Sequence, residues 1–221
     1  MSTASTIRIG GASGYWGDAA LATPQLLADG AVDYLVYDYL AEITMSILAR
    51  ARAADPHKGY ATDFVTAAMK PNLAAIAGGR VRVIANAGGV NPRACAEALR
   101  RELDAAGLDL RIAVVEGDDL LGNVADFASQ KEMFSGEAFP EAARVASINA
   151  YLGAFPIAAA LDAGADIVVT GRCVDSAVTL GACIHAFGWS RADLDRLAQG
   201  SLAGHILECG TQATGGNFTD W

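Results

Sequence analysis

Lysine is scarce in this chain: Lys58, Lys70 and Lys131 are the only three among 221 residues. Lys and Arg together number 16 against 25 Asp and Glu, a formal charge of -9, and the basic residues are scattered. Nucleic acid and other polyanions are therefore poor partners, because phosphate backbones need clustered cations. A small anion held by one arginine or one helix N-terminus remains open. The four cysteines, Cys95, Cys173, Cys183 and Cys209, include no C-x-x-C pair, which reads as buried free thiols in a reducing compartment. No run of 18 apolar residues is unbroken, so a membrane span is not expected. The opening residues 1–6 lack the basic and apolar regions of a signal peptide, and the chain reads as cytoplasmic. Residues 215–221, Gly-Gly-Asn-Phe-Thr-Asp-Trp, carry no polar tail and read as the interior of a longer protein.

Catalytic signatures are missing as well. There is no G-x-x-x-x-G-K-[ST], which excludes a P-loop, and no G-x-S-x-G. The residues four before the lysines are Ala54, Thr66 and Phe127, so the Tyr-x-x-x-Lys pair of short-chain dehydrogenases is absent. His57, His185 and His205 have no close ligand spacing and read as core or surface histidines. Cys173 and Cys209 follow small or polar segments, but no histidine is evidently placed to activate either.

What is present is apolar bulk: 52% of the residues, enough for one large domain over residues 1–221. Continuous apolar runs at residues 6–9, 33–37, 81–85, 110–115 and 166–170 read as strands buried on both faces, as in a parallel sheet. A weaker run lies at 146–149. Helical segments alternate with them. Thr23-Pro24 reads as an N-cap followed by a first-position proline, with Gly30 as the stop, and Asn91-Pro92 with Gly107 repeats the signal. Ser190 caps 191–199 before Gly200, and 42–54 and 174–186 complete the set. The alternation predicts an α/β fold: a doubly wound, mostly parallel, Rossmann-like three-layer sheet with helices on both faces, truncated at its C-terminal end. The polar stretch 126–144 is an excursion from it.

Each strand ends in a glycine-rich or polar cluster, and in a parallel sheet these ends share the edge where ligands bind. The clusters supply Gly11, Ser13, Gly14, Gly17 and Asp18; Asp38; Asn86 and Gly88; Asp118 and Asp119; Asn149; and Arg172 with Asp175. The first resembles a dinucleotide loop, with Asp38 and Asn86-Ala87-Gly88 imitating other parts of such a site. However, its glycines are spaced as Gly11-x-x-Gly14-x-x-Gly17, Trp16 stands where a glycine belongs, and Tyr15 and Asp18 suit a pyrophosphate badly. NAD or NADP is disfavoured. Crowded carboxylates raise one another's pKa and suit acid–base work, or supply oxygens for Mg²⁺. Asp118 or Asp119 is alternatively a helix cap. Arg172 holds a substrate carboxylate or an internal ion pair with Asp175.

Read together, Gly10–Asp18, Asp33–Glu42, Asn86–Pro92, Gly117–Leu120, Ala165–Arg172, Leu207–Gly210 and Thr214–Gly216 resemble the N-terminal domain of the acyclic terpene utilisation (AtuA) family, nearly end to end. The resemblance implies catabolism of branched acyclic terpenes through acyl-CoA thioesters, by lyase or hydratase chemistry on a carboxylated acyl thioester. Family members are longer than this chain. In the expected site, Asp118, Asp119 or Asp38 works as acid–base or Mg²⁺ ligand, Arg172 binds the carboxylate, and loop N–H groups of residues 11–17 stabilise an oxyanion. The rival expectation is a non-catalytic ligand-binding subunit of an acyl-CoA carboxylase. A third is a nicotinamide oxidoreductase. A homo-oligomer or a partner subunit is expected, with no nucleic acid and no membrane.

Overall fold

The apolar runs form the sheet. In the computed structural model, which describes residues 6–28 and 30–216, five parallel strands lie in the order β1-β2-β3-β5-β4. They are β1 (Ile9–Ser13), β2 (Tyr34–Tyr37), β3 (Arg82–Gly89), β4 (Ile112–Val115) and β5 (Ile167–Gly171). β2 shows why both faces are apolar. Leu35 and Tyr37 enter one core, and Tyr34 and Val36 enter the other, following the two-residue strand period.

Helices cover each face. α1 (Ala19–Ala28), α2 (Glu42–Ala54), α3 (Leu73–Gly79) and α4 (Pro92–Ala106) lie on the side of the first core; α5 (Phe155–Asp162) and α6 (Ala177–Phe187) lie on the other, with α7 (Leu194–Leu207) packed on α6. The fold is doubly wound α/β. The covering changes face between β3 and β5, which is the topological switch point. α4 follows its sequence signals closely. Asn91 Oδ1 accepts from Ala94 N, Pro92 opens the helix, and Cys95, Ala98, Leu99 and Leu103 form the buried stripe.

Several elements differ from the sequence reading. β1 begins at Ile9 rather than residue 6, so Gly10–Ser13 is itself strand. Glycine stands at Gly11 in the strand and at Gly14 just after it because neighbours leave no room: a Cβ on Gly11 would lie 2.6 Å from the Leu207 carbonyl oxygen, and one on Gly14 would lie 2.3 Å from that of Cys209. α1 begins at Ala19 with Pro24 inside it. Thr23 is no cap; its hydroxyl bonds the Ala19 carbonyl oxygen at 2.6 Å and lies 3.0 Å from the Tyr37 hydroxyl. α7 starts at Leu194, after Asp193, and runs through Gly200, whose lack of a side chain admits Leu180 and Trp189. α6 starts at Ala177. The run 146–149 is no strand; Asn149 makes only a single antiparallel bridge to Asp119. The excursion is wider than 126–144 and fills the whole interval between β4 and α5 with short 3₁₀ turns at Leu121–Phe127 and Ala142–Arg144. Cys95, Cys173 and Cys183 are buried as expected, whereas Cys209 is exposed.

Candidate functional site

The strand ends open into two separate clefts. One, of about 310 Å³, lies beside the switch point between Gly89–Arg93, Glu116–Asp119 and Arg52. Its charges are engaged with one another. Arg52 pairs with Asp119 at 2.8 Å and Arg93 with Glu116, while Asp118 Oδ2 accepts from Asn149 Nδ2 and from the Arg172 N–H, both at 2.8 Å. Burial pushes the Asp118 carboxyl up against those hydrogen bonds. Asp118 thus ties the end of β4 to the end of β5, and Asn149 completes the tie. Gly88 sits against the Thr170 carbonyl oxygen and Pro92.

The other cleft, about 290 Å³, lies over β1 and β2. Gly14, Tyr15, Trp16, Asp38–Ala41, Ile43, Thr44, Asp175, Glu208 and Cys209 line it. Here oxygens of Asp38, Asp175 and Glu208 all lie within 4.8 Å of one another. They arrive from three elements: the end of β2, the turn after β5, and the C-terminal end of α7. Asp38 is fixed from behind by Asn86, fully buried on β3, whose Nδ2 donates to Asp38 Oδ1 while its Oδ1 accepts from Tyr39 N at 2.7 Å. Ser13 Oγ reaches the Tyr15 and Asp38 carbonyl oxygens at 3.1 and 3.3 Å, closing the turn.

Arg172 is the cation of this cluster. It is 3% exposed. Its Nη1 donates to Asp175 Oδ1 at 2.9 Å and to the Leu40 carbonyl oxygen at 2.8 Å, and the Tyr151 ring covers it with the centroid 4.1 Å away. Burial works against its charge, and Tyr151 and Asp175 more than offset that. The guanidinium is therefore engaged inside the protein through Nη1, while its buried Nε makes no hydrogen bond.

Asp175 holds the arginine; Asp38 and Glu208 face each other without one. Burial, then the Asp175 charge, pushes the Asp38 carboxyl up. Burial and the charges of Asp175 and Asp38 carry Glu208 up to about 8. Of the two, Glu208 is the carboxyl whose surroundings favour keeping a proton, with Asp38 and Asp175 both beside it. His205 Nδ1 lies 3.2 Å from Glu208 Oε1 and is largely exposed, so it links the carboxyl to solvent. Sequence reading named neither Glu208 nor His205 as a site residue. The one signal was a charged Glu208-Cys209-Gly210 ending an otherwise weakly polar segment. Burial and the neighbouring carboxylates push the Cys209 thiol up, the reverse of what a nucleophile needs.

The glycine loop is also reassigned. The space beside Gly11 and Gly14 holds backbone of Leu207 and Cys209, and Gln212 Nε2 donates to the Gly14 carbonyl oxygen at 3.2 Å. The Gly14 N–H donates to Asp18 Oδ2 at 2.8 Å, while burial pushes that carboxyl up. Gly17 and Asp18 border a small hollow of about 50 Å³ on the far side of the loop. Asp18, Asp38 and Asp118 thus line three different hollows rather than one cleft. As a metal centre, Asp38, Asp175 and Glu208 offer the hard oxygen donors that Mg²⁺ takes, provided Glu208 gives up its proton.

No curated protein and no solved structure matches the chain. The sequence profile described as acyclic terpene utilisation family protein AtuA matches residues 7–221, which spans both clefts and every strand, and the chain belongs to that family.

Proposed function

We infer that the chain is a lyase or hydratase of acyclic terpene breakdown, acting on a branched acyl thioester in the cleft over β1 and β2. The observation that carries this reading is the Asp38–Glu208 pair, two carboxyls brought together with Asp175 within 4.8 Å beside an apolar wall of Trp16, Leu40, Ala41 and Ile43, where burial pushes both up. In hydration, the Asp38 carboxylate takes a proton from water as its oxygen bonds the β-carbon of a conjugated double bond. The electron pair of that bond moves toward the thioester carbonyl, and Glu208 gives its proton to the α-carbon. The Asp38 proton then returns to Glu208 across their shared hydrogen bond. Elimination runs the same steps backwards. Arg172 acts through Asp175 as a positioning residue, since the negative charge it holds in place keeps the proton on the other two carboxyls. A carboxylated substrate finds no free guanidinium here, so its second carboxyl is best placed toward solvent at the cleft mouth.

The test is turnover of terpenoid acyl-CoAs by the full-length protein and by Glu208→Gln. Loss of a general acid is expected to lower turnover by about 10²–10⁴-fold. Unchanged turnover in the variant overturns the assignment. Binding without turnover of any thioester by the wild type, with co-purification of a carboxylase, favours the subunit alternative. Activity that requires added Mg²⁺ and is abolished by chelator would favour the same three carboxylates as a cation site.

A further inference from the structure

β4 is an edge strand with an open side. It pairs only with β5 among the described residues. The Arg111 carbonyl oxygen accepts from Ile167 N, and the Arg111 N–H donates to Asp166 Oδ2, so Arg111 turns its backbone toward β5. Strand alternation turns Ala113 and Val115 the same way and leaves the N–H and C=O of Ile112 and Val114 pointing outward. The Leu110 carbonyl oxygen, also outward, is capped by Arg100 Nη2 at 2.7 Å. Ile112, Ala113 and Val114 are half-buried. The strand carries none of the usual protection of an edge: no proline, no lysine and no inward charge within Ile112–Val115. Beside it runs an open crevice of about 360 Å³, floored by the small residues Ala160, Ala163, Gly164 and Ala165 at the end of α5.

We propose that β4 pairs antiparallel with β4 of a second copy about a two-fold axis at Ala113, joining the two sheets into one. Backbone parity admits only registers that set outward residues opposite outward residues. The register centred on Ala113 places Ile112 opposite the partner's Val114, and Leu110 opposite the partner's Glu116. The charges favour this one. Leu110 and Ile112 lie on the α4 side of the sheet, and Glu116 is held on that side by Arg93 of α4, Nε to Oε1 at 2.8 Å. Arg100, also on α4, stands over Leu110, so each copy's Arg100 comes beside the partner's Glu116, one such pair at each end of the pairing. The register centred on Val114 would instead set the partner's Glu116 against Ile112, with no cation supplied. On the opposite face the end of α5 carries alanine and glycine, with the Arg111 guanidinium laid over Gly164.

The proposal is independent of the acid pair and of any turnover. Light scattering or sedimentation of the full-length protein is expected to show a dimer. Val114→Pro removes only an outward N–H and spares the pairing with β5, and it should weaken the dimer by about tenfold or more. Ala113→Cys, in a Cys209→Ser background, should form a disulfide with its own counterpart under mild oxidation, because directly opposed residues without mutual hydrogen bonds sit about 4.5 Å apart at Cα. A monomer throughout overturns the proposal. So does a dimer that Val114→Pro leaves intact and Ala113→Cys does not cross-link.

Discussion

Replacing Glu208 with glutamine keeps the side chain's size and its contact with Asp38 but removes the proton it holds. The consequence for stability can be worked out. Burial and the charges of Asp175 and Asp38 push Glu208 up to about 8, against an ordinary glutamate value of 4.5. Between those values the folded state binds more protons than the unfolded state, so stability falls as pH rises through the window. The ceiling is about 5 kcal/mol at ~1.4 kcal/mol for each tenfold change in proton affinity. Water reaches this half-buried carboxyl and screens it, which reduces the effect to about 1–2 kcal/mol. For a domain of this size that corresponds to roughly 2–8 °C in Tm. Calorimetry of wild type and Glu208→Gln from pH 5 to 8.5 should show the wild type losing that much relative to the variant, mostly above pH 6. In the same range, wild-type kcat should decline toward pH 8 as the general acid ionises. Parallel Tm profiles for the two proteins would refute the shared-proton reasoning.

Two further outcomes are expected. Gly14→Ala should cost about 1–3 kcal/mol, because the new methyl meets the Cys209 carbonyl; faster hydrogen exchange over residues 207–214 would locate the disturbance there, and unchanged exchange would contradict the packing. Cys209, the exposed thiol, should alkylate more slowly than free cysteine at about pH 9, where Glu208 has given up its proton, with Glu208→Gln faster than wild type because one of the repelling charges is gone; a rate above that of free cysteine would show the local electrostatics to be misread.

The sheet was legible because its strands are continuous apolar runs. Residues 33–37, 81–85 and 166–170 fall on β2, β3 and β5 within a residue or two, apart from a β3 that runs on to Gly89. Legibility failed where a glycine or proline is used for packing instead of punctuation. Gly10 and Gly11 looked like a loop but lie in a strand, Gly200 looked like a helix stop but receives Trp189, and Pro24 looked like a helix start but lies inside α1. In each case a tertiary neighbour overrides the local signal, and no window of sequence contains that neighbour. The site failed in a similar way. Asp38 and Asp175 were among the candidates, yet what turns them into an acid pair and its counter-charge is Glu208, some 170 residues beyond Asp38, and Asn86 behind them. Asp118, expected in the site from its place at a strand end, also ties two strand ends together through Asn149 and the Arg172 N–H, partners that lie 31 and 54 residues away in the chain.

The contact of Leu207 and Cys209 with the glycines of β1 and its loop sets an order of events. β1 and β2 are made before the rest of the sheet, and Asp38 with them. Glu208 emerges only after every strand of the sheet has been made. A chain that ends before α7 therefore lacks Glu208 beside Asp38, and the crowding of three carboxylates requires the end of α7 to dock on β1 and its loop. Cleft and carboxyl cluster are completed by the same contact, because Glu208 belongs to both.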